Sequence, residues 1–140
     1  MLDFSIEDRI NLWHQLLAHL ETHAITLPIK RVAPELSPGA IREALAAFDF
    51  DRPVAPGKAL DFAAEGLTRW QVHTPHPRYY GLFNPATTPM GVVADALVAE
   101  FNPQLAAWSH SPFAAEVERH LIHAFGQKFG WTLPSIDGTF

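Results

Sequence analysis

The sequence predicts a mainly helical protein. Apolar residues recur three and four positions apart in several segments, a Ser-Pro or Thr-Pro pair precedes three of those segments, and no alternating apolar and polar run is long enough for a credible strand. With 140 residues, of which 48% are hydrophobic, the chain is long enough for one domain with a core. We therefore expect short helices joined by proline-containing connectors.

The first helix is predicted from about residue 6 to about residue 23. Ser5 suits the N-cap position, and acidic Glu7 and Asp8 in the first turn suit the positive end of the helix dipole. An apolar stripe follows, with spacings of four, three, four and three: Ile6, Ile10, Trp13, Leu17 and Leu20. Burial of this stripe is worth roughly 8–15 kcal/mol as an upper bound, so we expect it to pack against another helix or another subunit.

Four further helices are predicted from capping residues and apolar spacing. They are expected over about residues 38–48, 57–70, 89–101 and 112–129, with Gly130 as the stop of the last one. The side chains expected to face inward are Ile41, Leu45 and Phe48, then Leu60, Ala63, Ala64 and Leu67, and in the last helix Val117, Leu121, Ala124 and Phe125.

The segment from Val72 to Pro85 has no usable helical period. Its 14 residues include three prolines, two histidines, two tyrosines and one phenylalanine. A loop that carries several large apolar side chains and fixed-φ prolines is either packed into an interface or shaped to receive a ligand. We predict an ordered loop with a binding or interface role, with simple packing as the alternative.

Composition and motifs argue against several function classes. The net charge is −5 with acidic and basic residues interspersed, which argues against nucleic-acid binding. No apolar run approaches the roughly 20 residues that span a bilayer, and the amino terminus lacks the pattern of a secretory signal, so we expect a cytoplasmic protein without membrane contact. The chain has no cysteine, no G-x-S-x-G elbow, no Gly-rich phosphate loop and no H-E-x-x-H motif.

Two groups on predicted helices have the spacing of metal ligands, three or four positions apart. They are His19 with His23, and Glu116 with His120 and His123. Solvated helix faces explain both groups better, because a metal site needs three or four converging ligands. We therefore assign neither a metal ligand nor a catalytic residue to this chain.

Residues 60–140 resemble the amino-terminal portion of the group II pyridoxal-phosphate-dependent amino-acid decarboxylases, a family that includes aromatic-amino-acid, glutamate, histidine and diaminobutyrate decarboxylases. The matching positions are His76-Pro77, Tyr79-Tyr80, Ala94-Asp95, Trp108, Ser111-Pro112 and Glu116. The resemblance implies a lyase of fold type I, an α/β fold, of which this chain holds two parts. Residues 1–72 would form a helical arm for homodimer contacts, and residues 73–140 the substrate-loop segment and the first helices of the large domain.

The resemblance also places candidate substrate-binding residues in two loops. Residues that match the first loop lie beside the substrate in the family, whereas the second loop reaches a substrate pocket from the other subunit. The candidates are Tyr80, Leu82, Phe83, Asn84 and Pro85 in the first loop, and Gln104, Leu105, Ala106 and Trp108 in the second. Pro85 stands where aromatic-amino-acid decarboxylases have a threonine, and Ala106 where they have an aromatic residue, so the resemblance leaves the amino acid open.

The cofactor implied by the resemblance is pyridoxal 5'-phosphate, held in the family by a lysine in a His-Lys dipeptide, an aspartate, a stacked histidine and a Gly/Ser-rich turn. Here Lys30, Lys58 and Lys128 follow Ile, Gly and Gln, so the dipeptide is missing. We expect the cofactor ligands to come after Phe140 in a longer parent protein and this chain alone to be inactive. The alternative is a non-catalytic helical module that self-associates or binds another protein.

Overall fold

The computed structural model describes residues 4–48, 51–82 and 85–139. These residues form five α-helices and one 3-10 turn and contain no strand, so the predicted mainly helical class is confirmed. The chain separates into two compact units, Met1–Ala86 and Thr87–Phe140. The predicted boundary at residue 72 separates a dimerisation arm from a substrate-loop segment. It divides the chain by proposed function and stays a prediction.

The first unit contains α1 (Ile6–Thr26), the 3-10 turn Leu27–Ile29, α2 (Pro38–Leu45) and α3 (Pro56–Arg69). The predicted cap of α1 is present, since the Ser5 side chain accepts a hydrogen bond from the amide of Asp8. The cap of α2 is formed in the same way by Ser37.

Helix α1 packs against α3 through a polar triad. The Gln15 side-chain amide donates to the Gly57 carbonyl at 2.9 Å and to Asp61 Oδ1 at 2.5 Å, and His19 Nε2 lies 2.7 Å from the same oxygen. The approach is close because position 57 is a glycine: a Cβ there would lie 2.9 Å from the Gln15 side-chain oxygen. Leu16 and Leu60 line a cleft that also contains His19 of the triad. The face of α1 that meets α3 is therefore a mixed polar and apolar one.

The predicted apolar stripe of α1 is only partly covered by α3, since Trp13 and Leu20 line clefts shared with that helix. Its side chains are exposed in this chain: Ile6 70%, Ile10 48%, Trp13 52%, Leu17 55% and Leu20 40%. Packing of the stripe on a second copy or on a further domain stays a prediction.

Helix α2 ends three residues earlier than predicted, at Leu45, and the Ala46 amide donates to two carbonyls of its last turn. Phe48 lies beyond the helix, and its ring packs 4.5 Å from that of Phe62. Phe48 therefore packs on Phe62, as an inward-facing residue would, although its backbone is not helical. In α3 the predicted inward residue Leu67 is exposed.

The second unit contains α4 (Pro89–Phe101) and α5 (Pro112–Lys128), as the Thr-Pro and Ser-Pro pairs predicted. The Thr88 hydroxyl caps α4 by accepting from the Gly91 amide, and Asn102 ends it with a left-handed φ of 41°. Gly130, with a φ of 81°, follows α5 as expected.

The chain after α5 returns to pack on that helix. Ile136 is 4% exposed and contacts Gly126, and the Thr139 hydroxyl donates to a Glu118 carboxylate oxygen at 3.1 Å. The predicted inward face of α5 is wrong for this unit: its large members are exposed, namely Val117, Leu121 and Phe125. The helix packs on Ile136 with the face that carries Gly126, because a residue without a side chain leaves room for the isoleucine. The inward face was predicted from the spacing of apolar residues, to which a glycine does not contribute.

Helix α4 is apolar nearly all round and none of its residues is buried. The exposed large side chains are Met90, Val92, Val93, Leu97, Val98 and Phe101. A helix of this composition is ordinarily found in a protein interior. Across the described residues, no helix is long and apolar enough to cross a membrane.

We predict that Gly126→Ala destabilises the second unit. A Cβ at this position would lie 2.6–3.0 Å from three atoms of Ile136, which is buried and stiff at χ1. Displacing it should cost about 1–3 kcal/mol, against a helix-propensity gain of about 1 kcal/mol at most. Urea unfolding should show a net loss of stability.

The matched control is Gly138→Ala, where the nearest atom, Ile122 Cγ2, is 4.0 Å away. This variant should stay within about 0.5 kcal/mol of the wild type. If the Gly126→Ala variant were as stable as the control, packing of Ile136 on Gly126 would not stabilise the chain after α5.

Candidate functional site

The segment of residues 72–82, called here the proline turn, is fixed by backbone hydrogen bonds. The His73 amide donates to the Val32 carbonyl at 2.8 Å, which ties the turn to the connector after α1. The His76 amide donates to the His73 carbonyl at 3.0 Å, and the Tyr79 amide to the His76 carbonyl at 2.9 Å. The described part of the predicted loop is therefore non-helical and internally bonded.

Two imidazoles are the most buried polar side chains of the described residues: His73 is 2% and His76 is 3% exposed. His76 Nδ1 accepts from the Arg78 amide at 2.9 Å, which assigns the proton of the neutral ring to Nε2. His76 Nε2 and His73 Nδ1 have no hydrogen-bond partner among the described residues. Buried polar atoms without a hydrogen-bond partner are uncommon in folded proteins.

The environment of His73 favours its neutral form. Burial lowers the pKa of His73, and the positive charges of His23, Lys30 and His76 lower it further, while a hydrogen bond to the Thr68 carbonyl acts in the opposite direction. The pKa of His23, whose ring lies 5.8 Å from that of His73, is lowered by burial and then by Lys30.

The end of the proline turn is held by a tyrosine. The Leu82 amide donates to the Tyr79 hydroxyl at 3.1 Å. Gly81 lies directly under this ring, since a Cβ there would be 2.5 Å from the ring carbon that carries the hydroxyl. Two candidate substrate residues are thereby presented outward, with Tyr80 89% and Leu82 78% exposed.

The second candidate loop, residues 102–111, is also held by its own side chains. The Ala106 amide donates to the Gln104 side-chain oxygen at 3.1 Å, and Trp108 Nε1 donates to Glu116 Oε1 at 3.0 Å. Leu105 and Trp108 remain exposed. Trp108 and Glu116, two positions of the family resemblance, are thus bonded to each other.

A cavity of about 600 Å³ adjoins this loop within the second unit. It lies between the end of α4 and the start of α5, and its apolar lining includes Leu97, Phe101, Pro103, Phe113 and Val117. The cavity suits an apolar side chain.

The predicted substrate-binding residues divide between the two units. Tyr80, Leu82 and Pro85 belong to the first, and the group from Gln104 to Trp108 belongs to the second. Phe83 and Asn84 lie outside the described residues. The roles of all nine as substrate contacts stay predictions.

The histidine pairs considered as metal ligands take other partners. His19 bonds Asp61 on α3, and His23 lies beside His73, and within the described ranges no three potential ligands converge. Sequence reasoning missed Asp61, His73 and His76, because their neighbours come from distant positions. Two histidines among prolines in a non-helical segment were the available signal.

The described lysines do not fit a pyridoxal-phosphate site. Lys58 and Lys128 are exposed, and Lys30 faces the imidazoles of His23 and His73. An internal aldimine needs a lysine placed in a pocket beside a carboxylate partner for the ring nitrogen, and none of these three has that setting.

Comparison with known proteins gives one significant relative. The chain is 28% identical over 122 residues to a tyrosine decarboxylase of Oryza sativa subsp. japonica, a match that covers 83% of this chain and 22% of the relative. No family model and no solved structure matches the chain significantly. The chain is thus similar to a part of a decarboxylase about four to five times longer than the matched region.

We predict that Asp61→Asn weakens the α1–α3 contact. Hydrogen bonds from Gln15 and then from His19 lower the pKa of Asp61. A carboxyl group with a lowered pKa stabilises the fold above its ordinary value of about 3.9, and this contribution is lost as the pH falls through the folded value. The variant should melt at a lower temperature than the wild type at neutral pH, and the difference should shrink below about pH 4.

The control for this comparison is Glu65→Gln, an exposed carboxylate on the same helix. It should leave the melting temperature at neutral pH unchanged. Equal melting curves for Asp61→Asn and the control at every pH would contradict a stabilising triad.

We predict that Tyr79→Phe loosens the end of the proline turn. The change removes the acceptor of the Leu82 amide, and a hydrogen bond worth about 0.5–1.5 kcal/mol corresponds to about two- to tenfold faster amide exchange. Exchange at Leu82 can be followed by NMR. Tyr80→Phe is the matched control, because Tyr80 is 89% exposed, and an equal effect of both changes would contradict the assignment.

Proposed function

We propose that this chain is the amino-terminal part of a pyridoxal-phosphate-dependent amino-acid decarboxylase, in which it supplies dimer contacts and part of the substrate pocket. The observation that carries the proposal is the similarity to a tyrosine decarboxylase over 83% of the chain and only 22% of the relative. The motif positions from His76 to Glu116 point to the same family.

The exposed stripe of α1 supports the dimer contact. About half of its apolar surface remains exposed in this chain, which leaves roughly 4–8 kcal/mol of transfer free energy to be gained on association. A second copy that covers the stripe would bury five large side chains, including Trp13, the residue type most enriched at binding hot spots.

The exposure of α4 supports membership in a larger assembly. Its large side chains from Met90 to Phe101 form an apolar surface on a helix with no buried residue, and surfaces of this kind mark interfaces. In the proposed parent protein, the large domain covers α4.

The proline turn supports the substrate role of the first loop. Tyr80 and Leu82 are exposed side chains at the end of a turn whose backbone is held by the Tyr79 hydroxyl, so less backbone entropy is lost when they meet a ligand. Leu105 and Trp108 have the same character in the second loop. Tyrosine, the substrate in the name of the relative, is the first amino acid to test, although Pro85 and Ala106 depart from the aromatic-amino-acid pattern.

The cofactor belongs, in this proposal, to a part of the parent protein outside these 140 residues, because the lysines of this chain do not fit it. The chain alone should release no carbon dioxide from any amino acid.

The test is to express the complete reading frame that contains this chain and to assay carbon dioxide release with pyridoxal phosphate and each standard amino acid. Activity is expected with at least one of them. Leu82→Ala and Leu105→Ala should each lower kcat/KM about tenfold or more, since each removes several methylene contacts from the substrate. Ile29→Ala, an exposed residue on the 3-10 turn, should not.

Absence of carbon dioxide release from every amino acid would contradict the enzyme function. The second candidate is a non-catalytic helical module that self-associates through the stripe of α1, which the exposure of Trp13 and its neighbours favours. It would be supported by concentration-dependent dimerisation of the inactive chain that Trp13→Ala abolishes.

A further inference from the structure

We propose that the buried imidazoles of His73 and His76 form a pH-sensitive lock, which holds the proline turn in place at neutral pH and releases it in mild acid. The proposal concerns the first unit alone and does not depend on the decarboxylase assignment. It rests on two observations, the hydrogen-bond role of His76 and the surroundings of His73.

The imidazole of His76 acts as an acceptor inside the turn. Its Nδ1 receives the Arg78 amide at 2.9 Å, while its backbone carbonyl receives the Tyr79 amide at 2.9 Å. Protonation of Nδ1 replaces the acceptor with a donor that points at the Arg78 amide. Nε2 already carries the proton of the neutral ring and has no partner among the described residues, so protonation of Nδ1 would place a positive charge on a buried ring with neither N–H paired. The turn as described therefore requires a neutral His76.

Three basic groups on different segments face His73, and each of them disfavours a positive charge on its ring. His23 lies on α1, Lys30 follows the 3-10 turn, and His76 lies three residues along the proline turn, and each of them lowers the pKa of His73 in addition to burial. Helix α3 contributes the Thr68 carbonyl, to which the imidazole donates. The charged groups that act on this ring are all basic, so a proton on His73 is repelled by its neighbours.

The direction of the pH effect follows from the lowered pKa. The unfolded or released segment binds protons with the ordinary histidine pKa of about 6.5, whereas the locked segment binds them only at lower pH. The released form is therefore favoured as the pH falls below about 6.5, and the lock is fully effective above it.

Release would reach the candidate substrate residues. The His73 amide bond to Val32 ties the turn to the rest of the unit, and the bonds of His76 to Arg78 and Tyr79 shape its middle. Once these bonds open, Tyr79 no longer sits above Gly81. Tyr80 and Leu82 then lose their fixed position in acid. Helices α1 and α3 remain paired, because the triad of Gln15, His19 and Asp61 joins them.

The test uses the 140-residue chain and amide hydrogen exchange by NMR at about pH 7.5 and about pH 5.5, corrected for the intrinsic rates. Protection of the His73, Arg78 and Tyr79 amides should fall severalfold in acid, with about tenfold as the most that one histidine can contribute one pH unit below its ordinary pKa of about 6.5. The loss of protection should begin as the pH falls below about 6.5 and should level off where the His73 ring of the locked form titrates in the same spectra. Protection within α1 and α5 should change less than twofold, about the margin of such corrections.

The matched variant is His73→Gln with His76→Asn. The Gln amide can donate to the Thr68 carbonyl and the Asn oxygen can accept from the Arg78 amide, but neither side chain titrates. Protection of the turn should then be equal at both pH values. The control His14→Gln changes an exposed histidine on α1 and should keep the acid release.

Three results would overturn the lock: unchanged protection of the turn in the wild type, an acid release that persists in the double variant, or simultaneous loss of protection in α1. If the double variant does not fold, the wild-type titration decides. A His73 ring that titrates at or above the ordinary histidine value, or well apart from the pH at which the loss of protection levels off, would contradict the proposal.

Discussion

The polar triad of Gln15, His19 and Asp61 sets which face of α1 meets α3, and the other contacts of the first unit depend on that rotation. Because α1 turns these side chains toward Asp61, its residues Leu12 and Leu16 line the clefts beside α3. Hydrogen bonds contribute on the order of 1 kcal/mol each, whereas the stripe of α1 represents several kcal/mol of transfer free energy. The triad is compatible with an orientation in which Trp13 and Leu20 line the clefts beside α3 while about half of the stripe stays exposed, and that exposed part is left for another surface.

Local sequence signals were sufficient to locate the helices. Four of the five helices begin after a serine or threonine, α3 begins after Ala55, and a proline at the first position is common, as at Ser37-Pro38 and Ser111-Pro112; the left-handed Gly130 follows α5. Such features act within a few residues, so they can be read from the chain. The end of α2 could not be read, because Phe48 belongs to a contact with Phe62 that helical spacing does not encode.

The candidate site was predictable only in its outline. Prolines and aromatic residues indicated an ordered loop after Val72, and two histidines stood out among them, but their burial could not be predicted because it involves the Val32 carbonyl and His23 at the end of α1. The inward face of α5 was misjudged for a related reason. Gly126 accommodates Ile136 because it lacks a side chain. The spacing of apolar residues cannot indicate a contact that depends on a missing side chain.

Both candidate loops obtain their shape from side chains inside their own unit. In the first, Tyr79 binds the amide of Leu82 above Gly81, and in the second, Glu116 accepts from the Trp108 indole. The exposed apolar residues of each loop are thus presented by bonds that need no ligand and no second copy, which keeps the entropic cost of binding low. The two loops differ in what can undo that shape. The indole-to-carboxylate bond of the second loop contains no imidazole, whereas the first loop follows a turn in which the His76 imidazole is a hydrogen-bond acceptor, so the proposed lock predicts that acidification changes the first loop before the second.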